Sequence, residues 1–295
     1  VLYLKQRVLF VKKQEDVAVH QQAMYAAWGE ARKMSDLTYS AYLRLKELLS
    51  LQGHVEGEGV EHDEMLFVVI HQVYELWFRQ LLHEIGFLQG HLEKGDASQA
   101  LMTLRRVGSV LKTLVSQVDI LETMTPLSFN AFRGRLQTSS GFQSVQFRLL
   151  ETAMGHRHAR MLEVPGFTDQ DVQCLRVAMQ KRSVFDSYVL FLVACGFEVP
   201  LEVLNRDVQQ HVEPCEALQK VLVKMYRSHA LAAQLTERLV DIDEGFQEWR
   251  YRHVKMVERT LGTKQGTGGS LGVEYLKRTL FQPFFPDLWA VRSEL

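Results

Sequence analysis

Cysteine is scarce in this chain of 295 residues. The three present, Cys174, Cys195 and Cys215, lie far apart and form no CxxC pair. Zinc-ribbon, thioredoxin-like and CxxCH-attachment readings therefore fail on spacing, and a chain this long has enough core to fold without disulfides. Such cysteine usage suits a reducing, cytoplasmic setting. Proline is also rare: six residues, well below the usual ~5%, which leaves long stretches free to be helical. Neither sign of charge is in excess, with Lys+Arg 34 against Asp+Glu 35. A dedicated nucleic-acid binder, which needs a surplus of phosphate-neutralising cations, is excluded on that balance. Long apolar runs are missing too. The longest, Tyr188 to Phe197, is about half of the roughly twenty residues that a spanning helix requires, and Val8 to Val11 is too short for a signal-peptide core. No membrane span, targeting segment, internal repeat or low-complexity tract is expected.

What is present is an ordinary globular composition, 46% hydrophobic and 23% charged, with helical patterning. From Asp63 to Leu92 the apolar positions Leu66, Phe67, Ile70, Val73, Trp77, Leu81, Ile85 and Leu88 recur at three and four residues. The same period runs from about Ser98 to Glu122 and over 183–195, 216–239 and 244–261. Sustained alternation of β-branched residues is absent, so the expected fold class is all-α. Breaks fall at Gly95-Asp96, at Thr125-Pro126 where a capping hydroxyl precedes a first-turn proline, at QTSSG (137–141), at Pro165-Gly166 and at Glu213-Pro214. GTKQGTGGSLG, 262–272, must be a loop. An amphipathic helix is expected to start near Tyr39. Residues 1–33 are less patterned and read as a variable, appended segment, with 34–295 as a single helical domain.

Several catalytic patterns are matched only superficially. GGSLG places Ser270 at the nucleophile position of GxSxG, yet that elbow needs a preceding strand, and here a helix precedes the loop. No histidine follows a glutamate by three residues, as a carboxylate-bridged di-metal bundle would require, and His83-Glu84 does not extend to HExxH. Single histidines on apolar helix faces remain. His253 shares a face with Phe246, Trp249, Met256 and Val257. It reads either as a hydrogen-bonded core histidine or as an axial haem ligand, since haem brings four nitrogens of its own and asks the protein for one. His71, one turn after Phe67 and before Tyr74 and Glu75, reads as a core histidine or as the opposite side of such a site. Phe129, Phe132, Arg133 and Leu136 fall at i, i+3, i+4 and i+7. A guanidinium there needs an anionic partner or an escape to water; the partner is either another helix's carboxylate or a substrate carboxylate held by a bidentate clamp. The glycine-rich loop has the freedom to close over a small ligand, with Thr267 or Ser270 offering a hydroxyl.

Five blocks together resemble the tryptophan 2,3-dioxygenase family: LTYSAYLRLKELL (37–49), HDEMLFVVIHQVYELWFRQLLHE (62–84), LETMTPLSFNAFRGRL with SSGFQSVQFRLLE (121–136, 139–151), WRYRHVKMVERTLGTKQGTGGSLGVEYL (249–276) and FFPDLWAVR (284–292). The resemblance runs from about residue 37 to the end and is weakest over 152–240. It implies an all-helical bundle of the tryptophan/indoleamine dioxygenase type. Such a protein binds haem b non-covalently, assembles as a cytoplasmic homotetramer, and opens the indole ring of L-tryptophan with O2 to give N-formylkynurenine. By motif, it implies His253 as the iron's axial ligand and His71 as the distal histidine near the indole nitrogen. Arg133 would clamp the substrate carboxylate and Thr267 would contact the ammonium and carboxylate. Phe67, Phe129 and Leu136 would line the indole pocket, and Ser140 would lie near a haem propionate. Tyr39, Tyr42 and Leu43 would reach a neighbouring subunit's pocket. Leu271 departs from the family's usual GTGGSSG loop, and no family motif falls on residues 1–33. A sister haem monooxygenase that makes an oxindole or a hydroxylated aromatic amino acid would share both histidines. A haem sensor without turnover would have no use for the amino-acid clamp.

Overall fold

The computed structural model describes residues 38–52, 59, 61–262, 264 and 276–295. The chain divides into two units, 1–53 and 54–295. The described part of the first unit holds helices α1 (Tyr39–Leu43) and α2 (Leu45–Leu48). The Thr38 hydroxyl caps α1 by accepting from Ala41 N at 3.2 Å. One continuous helix is not formed, because Arg44 takes the left-handed conformation at φ 53, ψ 44 and separates the two.

The second unit contains α3 (His62–Leu92), α4 (Ala97–Leu121), α5 (Pro126–Phe132), α6 (Val145–Met154), α7 (Asp169–Met179) and α8 (Val184–Ala194). It continues with α9 (Leu201–Leu204), α10 (Glu216–Ser228), α11 (Ala230–Leu261) and α12 (Pro286–Ala290). Among the described residues there is no strand, and no helix is long and apolar enough to cross a membrane. The expected stops appear with their chemistry. Gly95 adopts φ 73, and the Asp96 carboxylate then caps α4 by accepting from Gln99 N at 3.1 Å. Thr125 caps α5, with Pro126 in its first turn.

Three long helices make the frame: α4 packs on both α3 and α11. The α4 stripe Leu104, Val107, Leu111, Leu114 and Val118 is almost fully removed from solvent, each side chain contributing roughly 1.5–3 kcal/mol of transfer free energy. Gly245 makes the α4–α11 approach possible, since a Cβ there would sit 3.3 Å from Leu111 Cδ1.

Two boundaries differ from the sequence pattern. α11 is one helix of 32 residues, where the pattern suggests a break near 240–243. The real break is at His229, whose extended backbone (φ −139, ψ 86) ends α10 and whose ring Nδ1 accepts from Ala232 N to start α11. The α5 helix also stops at Phe132 and tightens into a 3-10 turn, Arg133–Leu136, ending at Gln137 with φ 47. The i, i+3, i+4, i+7 stripe is thus wound at about three residues per turn over its second half.

Gly155 ends α6 at φ 107, and a Cβ there would meet Val212 Cγ2 at 2.8 Å. Gly155→Ala is expected to cost about 2–3 kcal/mol, from left-handed strain together with displacement of the 205–215 connection. Urea unfolding with unchanged m-value measures it.

Candidate active site

On α3 the residues Phe67, His71, Tyr74 and Phe78 share one face, and on α11 Trp249, His253, Met256 and Val257 share another. Between these faces lies a cavity of about 530 Å³, within the roughly 300–1,000 Å³ range of cofactor and ligand sites. Phe129 and Leu136 close one side, and Ser140 with the following short turn and α6 closes another. Of the sequence-predicted residues, the fold brings Phe67, His71, Phe129, Leu136, Ser140 and His253 to this one cavity.

Each histidine belongs to a separate aromatic cluster. The His71 ring lies 4.1 Å from Phe67, which packs in turn on Phe129 (5.8 Å) and Phe132 (5.5 Å). The His253 ring is stacked on Trp249 at 5.3 Å with 2° between planes, and Trp249 packs on Phe147 and Phe78. Phe67 and Trp249 each stand one turn before their histidine, so the helical period that makes the helices amphipathic also builds these pairs.

The rings are neutral near pH 7. Burial pushes the His253 imidazole down to about 4, and repulsion from His71 adds to the shift. Burial also lowers the pKa of His71, more than its bond to Phe67 and the Glu75 charge raise it. Both keep accessible surface because they face the cavity, not the outside. His71 Nδ1 donates to the Phe67 carbonyl at 2.7 Å, which fixes the proton on Nδ1 and leaves the Nε2 lone pair for a ligand. Neither ring nitrogen of His253 has a hydrogen-bond partner among the described residues. An unpartnered neutral imidazole on an apolar wall is the donor that a haem iron takes, so the residues present fit that group.

Other predicted residues stand elsewhere. Arg133 is half-buried at the head of the turn that carries Leu136 and is not among the cavity-lining residues. Arg135, the second arginine of FRGRL, is held by Glu64 at 2.6 Å with both side chains nearly buried. Tyr39 and Tyr42 are exposed, and Leu43 is partly so. Thr267, with Ser270 and Leu271, lies outside the described residues.

Sequence reasoning missed the polar part of the wall. Glu151 on α6 is almost fully buried and meets Arg250 at 3.2 Å and Arg148 at 2.6 Å. The Arg148 approach is short but not aligned as a hydrogen bond, since Glu151 Oε2 and Arg148 Nε both lack one. Arg250 also donates to the Gln282 carbonyl at 3.1 Å. Arg148 and Glu151 at i, i+3 read like an exposed helix pair, and no local signal separates a buried one from it.

An apolar, cofactor-sized chamber faced by two neutral histidines in an all-helical frame is what a haem-dependent oxidoreductase requires. The family model for tryptophan 2,3-dioxygenase matches residues 25–193 and 210–295. The tryptophan 2,3-dioxygenase of Herpetosiphon aurantiacus is 51% identical over 259 residues, 88% of this chain and 98% of that protein. The enzymes of that name from Anaeromyxobacter dehalogenans and Anaeromyxobacter sp. strain K are 53% and 54% identical, each over 88% of this chain and 96% of theirs. The chain belongs to the tryptophan 2,3-dioxygenase family.

Proposed function

We propose that this protein is a haem b enzyme that adds both atoms of O2 across the indole C2–C3 bond of L-tryptophan, giving N-formylkynurenine. The observation that carries the reading is the aromatic cavity with His71 and His253 on its two helical walls. The reaction balances without an external reductant: the C2–C3 bond breaks and each carbon takes one oxygen atom as a carbonyl. When bound, haem supplies the ferrous centre that activates O2.

The chain's own residues hold and orient. His253 would ligate the iron, and Ser140 would sit near a propionate. Phe67, Phe129 and Leu136 receive the indole ring and exclude water. His71, with its proton committed to the Phe67 carbonyl, accepts a hydrogen bond from the indole N–H at Nε2 and so fixes the ring's orientation; it is not required as a base. Arg133 takes the substrate carboxylate, with Thr267 contacting the carboxylate and ammonium. The exposed Tyr39 and Tyr42 with Leu43 complete a neighbouring subunit's pocket in a cytoplasmic homotetramer. Residues 34–295 would form the catalytic domain, with 1–33 a variable segment whose last residues, from 25, already fall within the family match.

Anaerobic reduction of the haem-loaded protein, followed by L-tryptophan, air and mass spectrometry, tests the chemistry. A gain of two oxygen atoms is expected; a gain of one would move the reaction to a monooxygenase, and no product would remove tryptophan as substrate. Arg133→Ala is expected to lower kcat/KM for tryptophan by about 100-fold, the loss of a charge-assisted clamp of about 3 kcal/mol. Binding of an indole that lacks the carboxylate should stay within about twofold. Unchanged tryptophan turnover would remove Arg133 from the site.

A further inference from the structure

A second histidine group lies outside the cavity. His156 follows the α6 terminus, His158 precedes the 3-10 turn Ala159–Leu162, and His211 sits on the connection between α9 and α10. Their ligand nitrogens all lie within 4.8 Å of one another, and the ring centroids are 4.4, 5.0 and 5.1 Å apart. Two ring nitrogens of the group, His156 Nδ1 and His211 Nδ1, are buried with no hydrogen-bond partner. A buried ring nitrogen left unpaired costs free energy, and two such nitrogens in a close group of three imidazoles make a donor set awaiting an acceptor.

We propose that His156, His158 and His211 bind one divalent transition-metal ion of the zinc type, which clips the α6 terminus to the 205–215 connection. Three neutral imidazoles suit Zn2+, Ni2+ or Cu2+ and not Mg2+ or Ca2+, which require oxygen ligands. Tetrahedral Zn–N bonds of about 2.0–2.1 Å bring nitrogens to about 3.3 Å from each other. The contraction falls on His158, the exposed member, whose side chain is free to change rotamer. Its exposure also leaves a fourth position open to water.

The frame is set without the ion. Arg157, between the two histidines of the turn, donates to the Thr152 and Met179 carbonyls at 3.0 and 2.8 Å and to the Val208 carbonyl. Arg206 donates to Asp186 at 2.6 Å and to the carbonyls of Gln210 and His211. Gly155, lacking a Cβ, lets Val212 settle against the turn. Of the cations nearby, Arg206 is engaged by Asp186, and Arg148 and Arg250 by Glu151; burial lowers the pKa of His211, and the Glu213 charge partly offsets it. His211 is the second residue of the matched stretch 210–295, close after 194–209, which the family model leaves unmatched.

The test uses the haem-loaded full chain, stripped of loose metal with EDTA, dialysed against Zn2+ and assayed for zinc by elemental mass spectrometry. One zinc per chain is expected, together with a rise in the thermal midpoint on adding Zn2+. In His158→Gln and in the His158→Gln/His211→Gln pair, affinity should fall by about 100-fold and the thermal response should vanish, with haem absorbance and helical circular dichroism unchanged. The control His62→Gln, at an exposed histidine at the start of α3, should keep the site. Absence of a stoichiometric zinc, or binding that survives in the single His158 variant and the pair alike, overturns the proposal. Should the pair fail to fold, the exposed His158 single variant decides.

Discussion

His253→Ala is expected to lose turnover of tryptophan by a factor of about 10³ or more, together with the spectrum of a histidine-ligated haem, because no other residue facing the cavity from α11 offers an imidazole to the iron. Its neighbours on that wall are Trp249, Arg250, Val254, Met256 and Val257, and the thioether of Met256 is a weaker ligand one turn away. The measurement is reconstitution with haem, pyridine-haemochrome quantification and steady-state turnover. Addition of free imidazole should restore part of the signal, since the variant leaves an imidazole-sized gap against the Trp249 ring. His71→Ala is expected to behave differently: haem content unchanged, and kcat/KM lower by only about tenfold, the worth of one orienting hydrogen bond of about 1.4 kcal/mol. If the two variants lost haem equally, the division of labour between the two helices would be wrong.

The meeting of the two histidines at one cavity was legible because both stand on helices of strong apolar period. In α3 and α11 the pattern places Phe67 with His71 and Trp249 with His253 on inward faces, and the fold joins them at one cavity. Thr125 and Asp96 mark helix starts by capping chemistry that depends only on neighbouring residues. The Glu151–Arg250 contact was not legible in the same way. It joins positions 99 apart in sequence, and long-range pairing leaves no periodic trace. The two histidines at 156 and 158 and their partner at 211 are hidden for the same reason. Arg133 is a middle case: the motif selects it, and the change to a 3-10 turn after Phe132 alters the stripe from which it was read.

The missed continuity of α11 has a cause that leads to a further large effect. Asp243 occupies a fully buried position between Ile242 and Phe246 on the core side, so the apolar pattern lapses there and suggests a helix end. The carboxylate is instead an acceptor for the C-terminal segment. It takes hydrogen bonds from Phe284 N, Phe285 N and Trp289 Nε1, each at 3.0 Å. Burial pushes its pKa up while these donors pull it down. The donors hold the FFPDLW segment against α11, where Phe284, Phe285 and Leu288 are fully buried and the Phe284 ring packs edge-on to Phe246 at 5.2 Å. Asp243→Ala leaves two buried backbone N–H groups and the part-buried Trp289 indole N–H without acceptors, at roughly 1–3 kcal/mol for each buried one. A loss of about 4–6 kcal/mol is expected, lowering the thermal midpoint by roughly 10 °C or more. Asp243→Asn should fall between, because it keeps one oxygen but turns an amide donor toward other donors. Calorimetry of the three proteins decides the matter: equal midpoints for wild type and Asp243→Ala would mean that the aromatic contacts alone hold the C-terminal segment, and that the buried carboxylate is not what fastens it.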